Sequence, residues 1–149
     1  MMLIIAQKQL ELITQHGEAT YPYECCGLLA GKKEKKKWIV YQIFPMNNAE
    51  EKRKNDRYVI NADERKETHK RITSLGLELI GFYHSHPDHD VYFSQTDLES
   101  SEEYQFGQPW LPPTYAYLVI SIKYKKKENH GAFIVKEGKS QKIDVMVEN

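Results

Sequence analysis

The sequence has little cysteine: its 149 residues include only two, Cys25 and Cys26, and these are adjacent. Neighbouring cysteines cannot form an unstrained disulfide with each other, which excludes a small fold held together by internal disulfides. We therefore predict that both residues are buried thiols in a reducing compartment.

The chain also lacks an excess of charge of either sign, because 21 Lys and Arg residues balance 21 Asp and Glu residues. A neutral protein has no overall field that would attract nucleic acid or an anionic membrane. Two basic runs, residues 32–37 and 123–127, fall at predicted strand ends and contain few of the interleaved aromatic residues that stack on bases. We predict that they are solvated hairpin tips and that the protein binds no nucleic acid.

No hydrophobic run approaches the roughly 20 residues that a membrane-spanning helix needs. The first six residues are apolar, but they lack the basic flank of a signal peptide and are followed by Gln7 and Lys8. These absences predict a cytoplasmic protein without membrane contact. The length and the hydrophobic content of 40% are typical of one ordinary domain, so we predict a single domain over residues 1–149.

The sequence does contain helical and strand-like patterns that follow one another along the chain. Predicted helices cover residues 3–16, 63–75 and 94–104. Gly17 is the predicted end of the first helix, and the second is predicted to be capped by Asp63 and ended by Gly76. Predicted strands cover residues 25–30, 37–44, 77–83, 115–122, 132–135 and 143–147. Residues 45–60 form a long polar excursion, and three prolines exclude regular structure from residues 107–113. This order predicts an α/β domain with a mixed sheet.

Three candidate metal ligands, His84, His86 and Asp97, follow the predicted strand 77–83. In an extended strand, side chains two residues apart lie on one face, so both imidazoles can converge on one ion. Asp97 lies three residues after Ser94 at a predicted helix start, from which its carboxylate can point back toward the two rings. Three ligands are the number that a catalytic zinc uses when its fourth position is left to water.

An open zinc site also needs a nearby proton acceptor, and Glu24, at the lip of the apolar strand 25–30, is the candidate. Each feature has a simpler explanation when it is taken alone. The histidine pair can be a loop feature, Glu24 can be a surface acid, and Ser94 with Asp97 can be a helix N-cap with its acidic third position. The prediction therefore rests on their occurrence together.

The candidate residues follow one another in a fixed pattern: Glu24, then His84-x-His86, seven residues, Ser94, two residues and Asp97. This pattern resembles the signature of the JAMM (MPN-plus) metalloprotease family. Residues 22–29 and 83–89 are similar to small prokaryotic members of that family, so the resemblance covers most of the chain. One departure is Phe93, since many of these relatives have proline before the serine. The change alters the stiffness of the loop and leaves the ligand set intact.

The resemblance implies a role for each of these residues. His84, His86 and Asp97 are implied to bind one Zn²⁺. Glu24 is implied to take the proton of the attacking water and pass it to the leaving amine, while Ser94 helps to hold the oxyanion. The implied fold is similar to that of cytidine deaminases, a mixed sheet flanked by helices. Deamination itself is not expected, because the chain has no Pro-Cys-x-x-Cys motif.

Members of the family cleave the bond after the C-terminal Gly-Gly of ubiquitin-like β-grasp proteins, and the small prokaryotic forms resemble enzymes that act on sulfur-carrier proteins. The resemblance therefore implies a metallopeptidase, an isopeptidase with such a protein as its substrate. Residues 45–60 and 100–113 correspond to variable insertions of the family and are candidate partner contacts, with plain surface loops as an equal alternative. Two other functions stay open, a non-catalytic scaffold and a zinc amidase for small peptides or small molecules. A homo-oligomer is also left open.

Overall fold

The computed structural model describes residues 1–104 and 114–149 of the chain. Within these residues, helices and strands follow one another in a mixed α/β fold, as predicted. The helices are α1 (Gln7–Thr20), α2 (Ala62–Ser74) and α3 (Gln95–Tyr104). The strands are β1 (Met2–Ala6), β2 (Cys26–Glu34), β3 (Lys37–Met46), β4 (Glu78–Pro87), β5 (Ala116–Lys123), β6 (Lys126–Lys136) and β7 (Lys139–Glu148). The predicted irregular segment 107–113 lies outside the described residues.

The strands of the described residues belong to one sheet with the order β1-β3-β2-β4-β5-β6-β7. Strand β1 pairs in parallel with both β3 and β7 and so joins the two ends of this order. Strands β4 and β5 are also parallel, whereas the remaining neighbours are antiparallel. The predicted mixed sheet is therefore confirmed, while the joining of its ends by β1 was not predicted and the likeness to cytidine deaminases stays a prediction. No helix of the described residues is both long and apolar enough to cross a membrane.

The N-terminal segment differs from the predicted helix over residues 3–16, because residues 2–6 form β1 and the helix begins only at Gln7. Strand β1 lies between two other strands, and Leu3, Ile4 and Ile5 are all buried. A strand that is buried on both faces appears in the sequence as a continuous apolar run. Hydrophobic periodicity cannot distinguish such a run from the start of a buried helix, which explains the error.

Gly17 does not end α1, which continues to Thr20. A Cβ atom at residue 17 would lie 2.9 Å from the Cδ1 atom of Ile120 and 3.2 Å from that of Ile122. The missing side chain therefore permits a close approach of α1 to β5. Gly17 is a packing residue and not the predicted stop signal.

Helix α2 is capped by Asn61 and not by Asp63 as predicted. The Oδ1 atom of Asn61 accepts hydrogen bonds from the backbone N–H groups of Asp63 and Glu64, at 3.0 and 3.1 Å. Asp63 lies instead in the first turn, where a negative charge favours the helix dipole. Gly76, with φ of +76°, follows the end of the helix as predicted.

Both basic runs lie at hairpin tips, as predicted. Lys35 and Lys36 connect β2 to β3, and Tyr124 and Lys125 connect β5 to β6. Strands β6 and β7 extend well beyond their predicted bounds, because the polar ends of these hairpins still pair through their backbones.

Strand β4 lies inside the sheet between β2 and β5, and residues 79–87 are all buried. Apolar clusters cover both of its faces. One cluster contains Ile13 of α1 together with Tyr83, and the other contains Ile72 of α2 together with Phe82. The strand that presents the two histidines is therefore held on every side.

The two cysteines are buried and form no disulfide, as predicted. Cys25 belongs to the apolar cluster beside α1, and Cys26 belongs to the cluster beside α2. Burial raises the pKa of the Cys25 thiol to about 12, so this side chain is an uncharged core residue at neutral pH.

The close approach of β5 to Gly81 generates a prediction for stability. A Cβ atom at residue 81 would lie 2.1 Å from the backbone oxygen of Ala116, its partner in the register. Backbone atoms cannot move away without opening the ladder between β4 and β5. We therefore expect Gly81→Ala to lower the free energy of unfolding by about 2–3 kcal/mol, measured by urea unfolding.

Gly17→Ala is the matched control. Its new methyl group would meet side-chain carbons of Ile120 and Ile122 and no backbone atom of β5 among its nearest neighbours, and alanine raises helix propensity by up to about 1 kcal/mol. We expect its stability to stay within about 1 kcal/mol of the parent protein. Equal unfolding midpoints for the two variants would contradict the described register of β4 and β5.

Candidate active site

The two histidines of the candidate site lie at the C-terminal end of β4. The two-residue period of a strand places His84 and His86 on one face, and their Nε2 atoms are 3.2 Å apart. Both side chains are buried, with relative exposures of 0% and 4%. Pro87 ends the strand, and Asp88, with φ of +59°, turns the chain away from the sheet.

Asp97 joins the two rings from the first turn of α3. Its Oδ1 atom lies 3.2 Å from His84 Nε2, and its Oδ2 atom lies 3.0 Å from His86 Nε2. The backbone N–H of Asp97 donates to Ser94 Oγ, while the N–H of Ser94 donates to Asp97 Oδ2, both at 3.0 Å. Ser94 and Asp97 therefore form the helix cap that was the simpler explanation, and the same capping bonds direct the carboxylate toward the histidines.

The distances within this triad of His84, His86 and Asp97 fit a tetrahedral metal ion. The two Nε2 atoms are 3.2 Å apart, each has a different oxygen of Asp97 within 3.2 Å, and one ligand atom from each residue lies within 4.8 Å of the other two. In a tetrahedral zinc site with bonds of about 2.0–2.1 Å, neighbouring ligand atoms lie about 3.3 Å apart. Among the described residues, the triad is the one group of His, Cys, Asp or Glu side chains found with the spacing that a metal ion needs.

The polar contacts of the triad also fit a metal ion. His86 Nδ1 lies 3.0 Å from the carbonyl oxygen of Asp90, which can only accept, so Nδ1–H donates there and Nε2 is the ring nitrogen left for a metal ion. Burial lowers the pKa of His84, which favours the neutral ring that a metal ion binds. Burial raises the pKa of Asp97, but the two histidines outweigh that effect and hold the pKa well below its usual range. Two imidazoles, each neutral when it binds metal, and a carboxylate are a donor set that zinc binds.

Glu24 precedes β2 and is only 2% exposed, so its alternative description as a surface acid is wrong. The next residue, Cys25, is tied to β4: its N–H donates to Ser85 Oγ at 2.8 Å, and its carbonyl accepts from the Ser85 N–H at 3.2 Å. Within the described part of the chain, Glu24 Oε1 has no hydrogen-bond partner. Burial, and then the charges of Asp97 and Asp56, raise the pKa of Glu24 to about 9. A carboxyl group that keeps its proton at neutral pH thus lies near the triad.

A comparison with protein families finds one that matches most of the chain. The model described as prokaryotic homologues of the JAB domain matches residues 6–142, which include the triad and Glu24. The protein belongs to this family. The resemblance to small prokaryotic JAMM/MPN proteins is thereby confirmed.

One curated relative of this JAB-domain chain is named desampylase and comes from Haloferax volcanii. The two sequences are 36% identical over 101 residues, which cover 67% of this chain and 63% of the relative. The chain therefore aligns with less than two-thirds of that relative's length.

Two solved structures resemble the JAB-domain fold over the full chain. A protein from Desulfitobacterium hafniense has a TM-score of 0.81 at 23% identity, with 94% of that chain covered. A protein from Salinibacter ruber has a TM-score of 0.69 at 26% identity, with 92% of that chain covered. Both comparisons cover 100% of this chain, so they support the fold described above.

In this JAB domain each histidine ring is held by a different kind of contact. The ring of His86 is held by its hydrogen bond to the Asp90 carbonyl, and the loop that carries Asp90 is fastened to β5, because Ser121 Oγ donates to the carbonyl of His89. The ring of His84 is stacked on Tyr58, with ring centroids 4.7 Å apart and an angle of 27° between the planes. Both contacts fix the direction in which Nε2 points.

Tyr58 was missed by the sequence analysis, as were the residues that fasten the loop after β4. Tyr58 lies in the polar excursion 45–60 and is only 3% exposed. The sequence held one signal, because Tyr58, Val59 and Ile60 form a short β-prone apolar group in an otherwise polar segment. The stacking partner could not be predicted from that signal, since His84 is far away in the sequence.

The raised pKa of Glu24 generates a prediction for the metal-free protein. Between the ordinary glutamate pKa and about 9, the folded state keeps the Glu24 proton and the unfolded state has lost it. Stability should then fall as the pH rises through this range, by up to about 1.4 kcal/mol per pH unit. At pH 8 we expect Glu24→Gln to have a free energy of unfolding higher than that of the parent by about 2 kcal/mol or more, and so to unfold at a higher urea concentration. At pH 4.5 the two proteins should unfold at nearly the same urea concentration.

The measurement is urea unfolding in excess chelator at both pH values. Glu78→Gln, at the exposed start of β4, is the control and should follow the parent protein. The lowered pKa of His84 affects all three proteins equally, so only the difference between them reports on Glu24. Parallel pH profiles for the parent and Glu24→Gln would contradict the buried, protonated state of this carboxyl group.

Proposed function

We propose that this protein is a zinc-dependent hydrolase that cleaves the amide or isopeptide bond after the C-terminal Gly-Gly of a ubiquitin-like or sulfur-carrier β-grasp protein. The observation that carries the proposal is the buried triad of His84, His86 and Asp97 with the buried carboxyl group of Glu24 beside it. Membership in the JAB-domain family and the likeness to a relative named desampylase support this class of reaction.

The triad would hold one Zn²⁺ through His84 Nε2, His86 Nε2 and the carboxylate of Asp97. When bound, zinc supplies a Lewis acid that makes water acidic and polarises a carbonyl group. Three protein ligands leave room for water and substrate, whereas a structural zinc site is closed by a fourth protein ligand. Among the described residues no cysteine belongs to the group, which also favours a catalytic role.

Glu24 would act as the general base and then as the general acid. In its ionised form, Glu24 would accept the proton of the attacking water at Oε1, which has no partner among the described residues, and return it to the leaving amine. A carboxyl group with a pKa raised by burial holds a proton far better than an exposed one, as this transfer requires.

Ser94 would stabilise the oxyanion that forms on the substrate carbonyl. Its Oγ atom already accepts the N–H of Asp97, which fixes the oxygen at the edge of the triad. The hydroxyl proton is then available to donate to the developing negative charge.

The substrate would enter as an extended C-terminal tail recognised mainly through its backbone, which suits a glycine pair next to the bond that is cut. The excursion 45–60 and the segment 100–113 are our candidate contacts for the folded part of the β-grasp protein; residues 105–113 lie outside the described part of the chain. We also propose that residues 1–149 act as one domain in the cytoplasm, where the two buried thiols stay reduced.

We expect the purified protein to bind one zinc ion per chain and to cleave a β-grasp protein fused through its Gly-Gly tail to a reporter. Glu24→Gln should keep the zinc and lower kcat by about 10²–10⁴-fold, because only proton transfer is lost. His84→Ala should lose both zinc and activity. Metal analysis and the rate of reporter release measure the two properties, with Glu78→Gln as a control that changes neither.

Each alternative function predicts a different result in the same assay. Cleavage by Glu24→Gln at the parent rate would rule out the proposed mechanism. Bound zinc without any cleavage would favour the non-catalytic scaffold. If an unfused dipeptide were cleaved as efficiently as the fusion, the protein would be a small-peptide amidase.

A further inference from the structure

The side chain of Asn48 joins two parts of the excursion 45–60 to Glu24, which precedes β2. Its Nδ2 atom donates to the carbonyl oxygens of Glu24 and Arg57, each at 3.1 Å. Its Oδ1 atom accepts from the backbone N–H groups of Glu50 and Val59, at 3.0 and 3.1 Å. One partly buried amide thus makes four hydrogen bonds, and all of them are to backbone atoms.

The orientation of the Asn48 amide follows from the chemistry of its partners. Two carbonyl oxygens face Nδ2 and can only accept, while two N–H groups face Oδ1 and can only donate. A flipped amide would oppose like groups at all four contacts. No other side chain of similar size offers two donors and two acceptors in this arrangement, so the position requires asparagine.

On one side, these bonds hold the backbone of Glu24. Its carbonyl accepts from Asn48, and its N–H donates to the carbonyl of Lys54 at 2.6 Å. Glu24 lies before the first residue of β2, so strand pairing does not hold it. Both of these backbone bonds come instead from the excursion.

On the other side, the bonds hold the residues next to Tyr58. Asn48 binds the carbonyl of Arg57 and the N–H of Val59, which are the two sequence neighbours of Tyr58. The buried ring of Tyr58 is the one that stacks on His84. The Asn48 amide therefore fixes the position of the Tyr58 ring against His84.

We infer that Asn48 is a positioning residue of the active site: its side chain fixes Glu24 relative to the triad and, through Tyr58, fixes the ring of His84. The inference deepens the proposed function and rests on it, since Glu24 and His84 have their roles only in that reaction. It also separates two uses of the excursion 45–60, because a substrate-contact segment would affect binding, whereas a positioning segment affects the chemical step.

The test compares Asn48→Ala and Asn48→Asp with the parent protein. Asn48→Asp has the same shape and keeps the acceptor for Glu50 and Val59, but it places an oxygen against the carbonyls of Glu24 and Arg57. This variant remains informative if Asn48→Ala does not fold. The control is Asn61→Ala, which removes an asparagine that also binds two backbone N–H groups, in this case only at the start of α2.

The measured quantities are kcat and KM for the β-grasp fusion, the zinc dissociation constant from competition with a chelator, and the thermal unfolding temperature. We expect both Asn48 variants to lower kcat by about 10–100-fold and Asn48→Ala to weaken zinc binding by about 10-fold, as supporting contacts of metal sites do. KM should stay within about threefold of the parent value, since the substrate does not touch Asn48 in this scheme. Asn61→Ala should lower the unfolding temperature and leave kcat and zinc affinity within about twofold.

Several outcomes would overturn the inference. Asn48 variants with parental kcat and zinc affinity would show that the four bonds only stabilise the excursion, and a raised KM with unchanged kcat would make Asn48 a substrate contact. Loss of activity in Asn61→Ala in proportion to its stability would show a general effect of destabilisation. A parent protein that binds no zinc would overturn the proposed function and this inference with it, which distinguishes that failure from the others.

Discussion

The candidate site depends on three electron-pair donors that are held close together. His84 Nε2 and His86 Nε2 lie 3.2 Å apart, and Asp97 places one oxygen within 3.2 Å of each; once both nitrogens are unprotonated, as metal binding requires, the three groups repel unless a cation lies between them. The surrounding structure opposes that repulsion. Strand β4 is paired on both sides and buried on both faces, and the capping bonds between Ser94 and Asp97 fix the carboxylate at the start of α3. The fold therefore prepares the site before any metal arrives, which lowers the entropy lost on binding.

The polar composition of the excursion 45–60 does not make it a detached loop. Several of its backbone groups are bonded by one asparagine side chain, by the bond from Ala49 N–H to the carbonyl of Val59, and by the bond from Glu24 N–H to the carbonyl of Lys54. Because these bonds replace strand pairing, the segment can pack Tyr58 against the triad while most of its other residues stay polar. A segment of this kind combines the accessibility that a partner contact needs with the rigidity that a catalytic group needs.

The sequence was sufficient for the parts of the structure that depend on local patterns. Strand periodicity and the spacing of His84 and His86 predicted their convergence, and the spacing of Ser94 and Asp97 predicted a helix start that returns a carboxylate to them. The error at β1 arose because burial on both faces depends on neighbours from distant parts of the chain. Tyr58 was missed for the same physical reason, since the ring it stacks on, His84, lies far away in the sequence. Asn48 was missed because all four of its bonds go to backbone atoms, which a residue pattern does not mark.

The two carboxyl groups of the candidate site show how environment separates the roles of similar side chains. Both are buried, and burial raises the pKa of each, but Asp97 faces two histidines whereas Glu24 has an unpartnered oxygen among the described residues and a negative neighbour in Asp97. The pKa of Asp97 is therefore held well below its usual range, while that of Glu24 rises to about 9. A carboxylate that stays ionised is suited to binding a cation, and a carboxyl group that exchanges its proton is suited to acid–base chemistry.

The ionised Asp97 also helps to keep the proton on Glu24, and a cation bound at the triad would offset that charge and make Glu24 easier to ionise. Metal binding and the readiness of Glu24 to accept a proton would then be coupled through the charge of Asp97.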